Sequence, residues 1–342
     1  MTLFQKTGLL LLLFFAILVT SCSQTCDCKD LSVKNGLYFK SGENVVYSGA
    51  CETDVYGVKK NQKFKDGLLS GELKTFTEQG ALLSSSFYRD GIRNGWSVSY
   101  YPNGHKEKED KFLNDKKNGI SKTWYESGKI KSEGKFVEGK SQGKHKEWFE
   151  NEYLKSESEY FQGVKHGEWL VWFESGENRS KGNFSNGQKD GKWITWYENG
   201  GLKSEEHFKK GVPHGEWTVW FENGKLESKG QYVDGDKEGE WTTWFANAQM
   251  NTRAEYKDNQ LDGRFENWYE SGALREIDFY AANQKNGQCL TFYENGQKES
   301  VANYKDGQYN GTVTMWLPSG NKEVYRYSMG EKKKTIKDSP VF

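Results

Sequence analysis

The sequence predicts an all-β chain of tandem β-hairpins, about eleven units of 24 residues. Three observations predict it. Counting in 24s from Trp124 lands on Trp148, Trp172, Trp196, Trp220, Trp244, Trp268, Phe292 and Trp316, and backwards on Tyr100 and Phe76. A glycine ladder from Gly71 to Gly311 and an aromatic ladder from Phe64 to Tyr304 keep the same register without insertion or deletion. Within each unit, turn signals separate two short runs rich in aromatic and β-branched residues. A fixed period of this length marks a repeat architecture.

Composition agrees with a thin, elongated molecule. Hydrophobic residues are 35% of the 342, aromatics are 15%, and there are 38 glycines against four prolines. The apolar content is mostly rings, each of which covers much surface. The 48 basic residues balance 48 acidic ones, which argues against a nucleic-acid partner.

The first element, residues 1–22, reads as an export signal. Lys6 precedes an unbroken apolar run from Leu9 to Val19. That run is too short for a typical transmembrane helix but suits the apolar core of a secretory signal. It ends in Val19-Thr20-Ser21-Cys22, which resembles the lipobox of bacterial lipoproteins. The resemblance implies cleavage before Cys22 and acylation of that residue, palmitate included, so that the N-terminal lipid holds the chain at a membrane. Each buried methylene adds ~0.8 kcal/mol to such an anchor. Ser23 is not the aspartate that resembles an inner-membrane retention signal, so the outer membrane is the expected location. A plain secretory signal with Cys22 incidental is the alternative.

Residues 23–59 fit the register poorly and read as a linker and degenerate cap. Cys26, Cys28 and Cys51 lie here. In an oxidising compartment Cys51 is placed to pair with Cys26 or Cys28, and free thiols are the alternative. The single residue between Cys26 and Cys28 is short for a zinc site, and no metal or cofactor is expected.

Residues 60–327 form the array. The unit from Gly191 to His214 is representative. Lys192 to Tyr197 favours strand, Glu198-Asn199-Gly200 is a turn signal, and Leu202 to Phe208 is the second strand. Lys210-Gly211 and then His214-Gly215 are expected to turn the chain into the next unit. Alternation puts Trp193, Thr195 and Tyr197 on one face, with Ile194 and Trp196 on the other. Leu202, Ser204, Glu206 and Phe208 are expected to share a face. The position of Glu206 holds Gly134, Ser158, Gly182, Gly230, Ala254 and Ala302 elsewhere, leaving room for a ring from a neighbouring strand. Charges such as Lys203 and Glu205 read as a solvated face. Residues 328–342 read as a tail.

The unit Gly215-Glu216-Trp217-Thr218-Val219-Trp220-Phe221-Glu222-Asn223-Gly224, with Lys225-Leu226, resembles the bacterial MORN-repeat variant. Gly191 to Leu202 and Gly167 to Gly176 do so as well. The resemblance covers roughly residues 60 to 325. It implies hairpins laid side by side in one elongated, single-layer, twisted antiparallel sheet. Some units depart from the pattern. Glu152 and Ala248 replace the turn glycine, and Pro102 and Pro318 replace the turn acid, so irregular turns are expected there. Phe265, Cys289 and Val313 replace the first-strand Trp, which implies a thinner C-terminal end.

No catalytic set is evident. His105, His145, His166, His207 and His214 read as turn and surface residues. The acids Glu126, Glu150, Glu174, Glu198 and Glu222 repeat in equivalent surroundings, whereas paired catalytic carboxylates need different ones. The glycines belong to hairpins rather than to a phosphate-binding loop. The expected function is therefore non-enzymatic: a lipid-anchored envelope protein whose sheet binds or scaffolds protein partners. Glycan or envelope-polymer binding through exposed aromatics is one alternative. A second is an antitoxin-like role, a label the repeat type often carries, although a cytoplasmic antitoxin conflicts with the export signal.

Overall fold

A computed structural model describes residues 26–319 and 321–337. The leader and Cys22 lie outside the described residues. The chain forms one open sheet of thirty strand segments. From Gly49–Val55 to Glu331–Lys337 successive strands pair antiparallel, and where a strand is split in two, as at Val212–Pro213 and Gly215–Trp220, both halves pair with the preceding strand, here Leu202–Lys209. The short strand Cys26–Asp27 joins in parallel beside Cys51. With strands ~4.8 Å apart, eleven hairpins extend on the order of 100 Å.

Two kinds of turn alternate along the edges. One edge carries two-residue turns such as Asn186-Gly187 and Lys210-Gly211, with φ of 50° and 79° and of 51° and 81°. Two successive positive φ values define the turn whose twist matches that of its flanking strands. At the other edge, the Gly200 amide donates to Tyr197 O at 3.0 Å and the Tyr197 amide donates to Gly201 O at 2.9 Å. Gly200 has φ 82°.

The expectation of irregular turns at residues 152 and 248 is corrected. Glu152 and Ala248 adopt the glycine conformation, at φ 72° and 75°. They also keep the same pair of backbone bonds, Glu152 N to Phe149 O at 3.0 Å and Ala248 N to Phe245 O at 2.8 Å. The repeat imposes the shape on a residue that does not favour it. Pro102 fits without distortion, because its ring fixes the φ that the second position of such a turn already has.

The second glycine expected to turn the chain is not in a turn. Gly191, with φ 74°, lies in a bulge inside the strand Gln188–Trp196. Lys181 pairs with Ile194 and Asn183 with Asp190, so Gly191, Lys192 and Trp193 face Gly182 alone. Gly215 (φ 101°) occupies the same position in the next unit, where it opens the strand Gly215–Trp220 just after Val212–Pro213. A second bulge changes a face. Thr195 pairs with Ser204, but Trp196 pairs with Leu202, which leaves Lys203 unpaired. Leu202 therefore shares a face with Trp196 and not, as alternation predicts, with Ser204.

The sheet also passes both limits read from the sequence. Gly49–Val55 and Val58–Lys65 form a hairpin ahead of residue 60. Lys322–Ser328 pairs with Glu331–Lys337 beyond residue 327. These strands lack the repeat's tryptophans but keep a two-residue turn, at Tyr56-Gly57 and at Met329-Gly330. A small separate hairpin, Leu31–Lys34 with Leu37–Lys40, folds back on the first units. It places Tyr38 on Phe64 with ring centroids 4.6 Å apart. At the far end Tyr309 lies between Tyr304 and Tyr327, at 4.7 and 5.1 Å. Both ends of the ring series are thereby covered, as repeat arrays require.

A residue other than glycine in the left-handed region costs ~1–2 kcal/mol. Ala248→Gly and Glu152→Gly are each expected to raise stability by ~1 kcal/mol, read as an upward shift of the urea unfolding midpoint. An unchanged or lower midpoint would contradict the strain assigned to these turns.

Candidate binding surface

A single layer has no second layer to bury against, so each face must be judged separately. One face is covered by its own rings. Trp169, Phe184, Trp193, Phe208, Trp217, Tyr232 and Trp241 form a continuous edge-to-face series with centroids 4.9 to 6.5 Å apart. Such pairs add ~0.5–1.5 kcal/mol each beyond the area they bury. Lysines cap the rings. Lys165 lies 3.7 Å from the Trp169 centroid, Lys189 4.4 Å from Trp193 and Lys237 4.4 Å from Trp241. Between ring rows run hydroxyl pairs, including Thr195 with Ser204 at 2.7 Å.

The residue eleven places before each ring decides how deeply the ring sinks. Trp193 follows Gly182 and Trp241 follows Gly230, and these rings are 4% and 6% exposed. A Cβ built on either glycine would lie within the indole. The indole N–H groups donate to Asn183 O at 3.2 Å and Gln231 O at 3.1 Å. Trp169 and Trp217 follow Ser158 and Glu206 and stay half-buried. Deep and shallow rings thus alternate through these four units.

His145 occupies the same slot above Gly134, where sequence reasoning expected a surface residue. Its ring sits between Phe136 and Tyr160, at 5.2 and 4.8 Å. Its Nε2 lies 3.0 Å from Lys135 O. A carbonyl only accepts, so Nε2 carries the proton and imitates the indole N–H. Burial pushes the His145 pKa down, against a smaller opposing effect of the Lys135 carbonyl. The signal was available: His145 stands 24 residues before Trp169.

Where the ring is missing the face is notched. Ser121 takes the slot above Asp110 and donates to it at 2.5 Å, and Lys117 lies 3.0 Å from the same carboxylate. Burial alone would raise the Asp110 pKa, but these two donors hold it below the usual carboxylate range. A depression of about 270 Å³ lies beside it, lined by Ser121, Thr123, Ser132, Phe136, His145 and Tyr160. Further on, buried Asp278 meets Lys285 at 2.6 Å. Burial pushes the Cys289 thiol up to about 11, so it packs as core rather than reacting.

The tryptophans that first reveal the period lie elsewhere. Trp124, Trp148, Trp172, Trp196, Trp220, Trp244, Trp268 and Trp316 are all half-buried on the opposite face. Their main chain also serves the neighbouring hairpin. Tyr101, Tyr125, Tyr197 and Tyr293 donate from Oη to the carbonyls of Trp124, Trp148, Trp220 and Trp316 at 2.7 to 2.9 Å. Asn151, Asn199 and Asn223 reach the next turn in the same way, at 2.8 to 3.2 Å. At the other edge main-chain bonds such as Gly211 N to Lys189 O at 2.7 Å are joined by side chains such as Asp190, whose Oδ1 accepts from Lys210 N at 3.1 Å.

This second face is ionic over much of its length. Lys122 meets Glu133 at 3.0 Å, Lys181 meets Glu168 at 3.0 Å and Lys192 meets Glu205 at 2.8 Å. Such exposed pairs contribute ~0–1 kcal/mol each. At the N-terminal end, Cys28 is bonded to Cys51, while Cys26 is free with its Sγ 3.0 Å from Tyr47 Oη.

Two predictions follow from the ring slots. Gly182→Val is expected to expel the Trp193 ring, costing ~1–3 kcal/mol or more and moving tryptophan emission to longer wavelength. Unchanged emission would refute the close packing. His145 has a folded pKa below its unfolded one, so its contribution is present above about pH 6.5 and is lost as pH falls below that value. His145→Phe is expected to lessen the loss of thermal stability between pH 8 and 5, and identical pH profiles would remove His145 as the cause.

Comparison with known proteins follows the same register. The MORN repeat variant matches residues 117–138, 189–210, 213–234 and 285–306. Each match runs from just after one two-residue turn into the next, so it spans one hairpin together with its glycine bulge. No curated protein matches the chain. Among solved structures it is similar to the TcdB2-TccC3 crystal structure lacking the hypervariable C-terminal region, at 12% identity and TM-score 0.18, covering 90% of this chain and 19% of that one. It is also similar to TcdB2-TccC3-Cdc42, at 10% identity and TM-score 0.13, covering 80% and 21%. The chain spans about a fifth of those structures, and at such scores neither bears on fold or function. The MORN repeat variant thus matches four hairpins of this sheet, in register with the remaining units.

Proposed function

We propose that the chain is a non-enzymatic, lipid-anchored protein of the cell envelope, held at the outer membrane through Cys22, whose repeat sheet binds or scaffolds protein partners. The MORN repeats support a repeat-based binding or scaffold role. The observation that carries the reading is the division of labour between faces. The ring face is packed on itself, so stability is supplied along the whole array. The opposite face and both edges remain a continuous surface for recognition. The lipobox-like run before Cys22 supports the anchor.

Glycan binding would require ring faces open for stacking. Gly182 and Gly230 cover one face of Trp193 and Trp241, and Lys189 and Lys237 lie 4.4 Å from their centroids. The buried ring series therefore favours a protein partner over a sugar.

The test uses the full-length, processed protein. Wild type is expected to fractionate with outer membrane and to retain envelope proteins on affinity capture. Cys22→Ala is expected to leave the membrane fraction. Membrane retention of Cys22→Ala would refute the anchor, and turnover by the purified chain would refute the non-enzymatic reading.

A further inference from the structure

The ionic face changes character in the first units. On the half nearest the two-residue turns, exposed apolar residues stand directly opposite cations. Trp96 pairs with Lys111, Leu113 with Lys116 and Ile120 with Lys135. The pattern continues outward as Ile92 opposite Arg89 and Val137 opposite Lys140. Partners in register share a face, and alternation keeps the whole series on the face opposite the buried rings. The five apolar residues are 38% to 48% exposed. None of the five cations forms an ion pair among the described residues, whereas the lysines beyond, such as Lys144 and Lys192, meet Glu157 and Glu205. The carboxylates nearest the strip on this face, Glu72, Glu109 and Glu133, are held by Lys74, Lys106 and Lys122. In later units the corresponding positions are mixed, with Glu159, Glu168 and Glu216 alternating with Lys144, Lys192 and Arg264. The strip crosses six strands, about 25 Å at the usual spacing.

Lys111 Nζ lies 5.7 Å from the Trp96 centroid, and exposed apolar groups interleaved with cations that hold no carboxylate favour a partner that offers both apolar side chains and negative charge. We propose that this strip docks an acidic polypeptide segment of a partner protein, with apolar side chains spaced between its carboxylates. The proposal rests on the protein-binding reading above and names its surface and partner chemistry. One feature favours a polypeptide over an anionic bilayer. A sheet twists by ~20° per strand, on the order of 100° over six strands, so the strip cannot lie flat on a plane but can be followed by a chain.

The probe is a fluorescent twelve-residue peptide with Glu or Asp at alternate positions and Leu or Phe between. The controls are the same peptide with Ser in the apolar positions, and phosphatidylglycerol vesicles. The full chain is expected to bind the first peptide, and Lys111→Glu with Lys135→Glu to weaken it at least ~10-fold. Trp96→Ala with Ile120→Ala is expected to weaken it as well. Lys257→Glu, an exposed change on the same face in a later unit, is expected to have no effect, and unfolding midpoints report whether each variant is folded. Equal binding of the Ser peptide, preference for vesicles, no binding at all, or indifference to the Lys111 and Lys135 changes overturns the proposal. A photo-crosslinker at residue 120 or at residue 257 separates the two readings. Captured partners linked only from residue 257 would end the strip proposal and leave protein binding standing. Capture of none would end both.

Discussion

The fold depends on an indole lying against a stretch of main chain that carries no side chain. A one-layer sheet must hide its apolar surface without help from a packed partner layer. Trp193 does so by crossing onto the neighbouring strand at Gly182, and Trp241 does the same at Gly230. The bulge that contains Gly191 supplies the extra backbone needed to bring Trp193 over that strand. The glycine ladder, the ring ladder and the small-residue ladder are therefore three parts of one device. Each hairpin is tied to its neighbour by the same few contacts, which is how quasi-one-dimensional proteins are stabilised.

The substitutions within that device are coherent. His145 keeps the flat ring and the N–H donor of the indole it replaces. Ser121 gives up the ring, and the space beneath is used by a carboxylate with its own donors. At the C-terminal end Cys289 and Val313 fill the slot without a ring and are nearly inaccessible. Burial thus persists where the tryptophans are lost.

Much of the fold was legible from the sequence because period, turn chemistry and ring spacing agree on one answer. The small residue opposite a ring was legible too, since Gly134, Gly182 and Gly230 share one register. Other features were hidden for physical reasons. Gly211 and Gly215 both satisfy a demand for positive φ, and a sequence records the demand without saying whether a turn or a bulge makes it. The face of Leu202 was misplaced because the bulge at Lys203 inserts a single ordinary residue. Glu152 and Ala248 looked like broken turns because residue preference was weighed alone, without the neighbouring hairpins that hold the turn in shape. The outer hairpins at 49–65 and 322–337 lack the repeat's tryptophans and are recruited by edge pairing. The basic strip was invisible to composition because the total charge is balanced.

The uninterrupted count of 24 residues has a consequence for how such a chain can change length. Losing or gaining one residue inside a strand would turn every later side chain to the wrong face. Losing or gaining a whole unit would join a two-residue turn to an identical one and leave each remaining neighbour contact as it was. The molecule is thus a ruler graduated in hairpins. Its reach is adjustable in steps of about 10 Å while its cross-section stays constant.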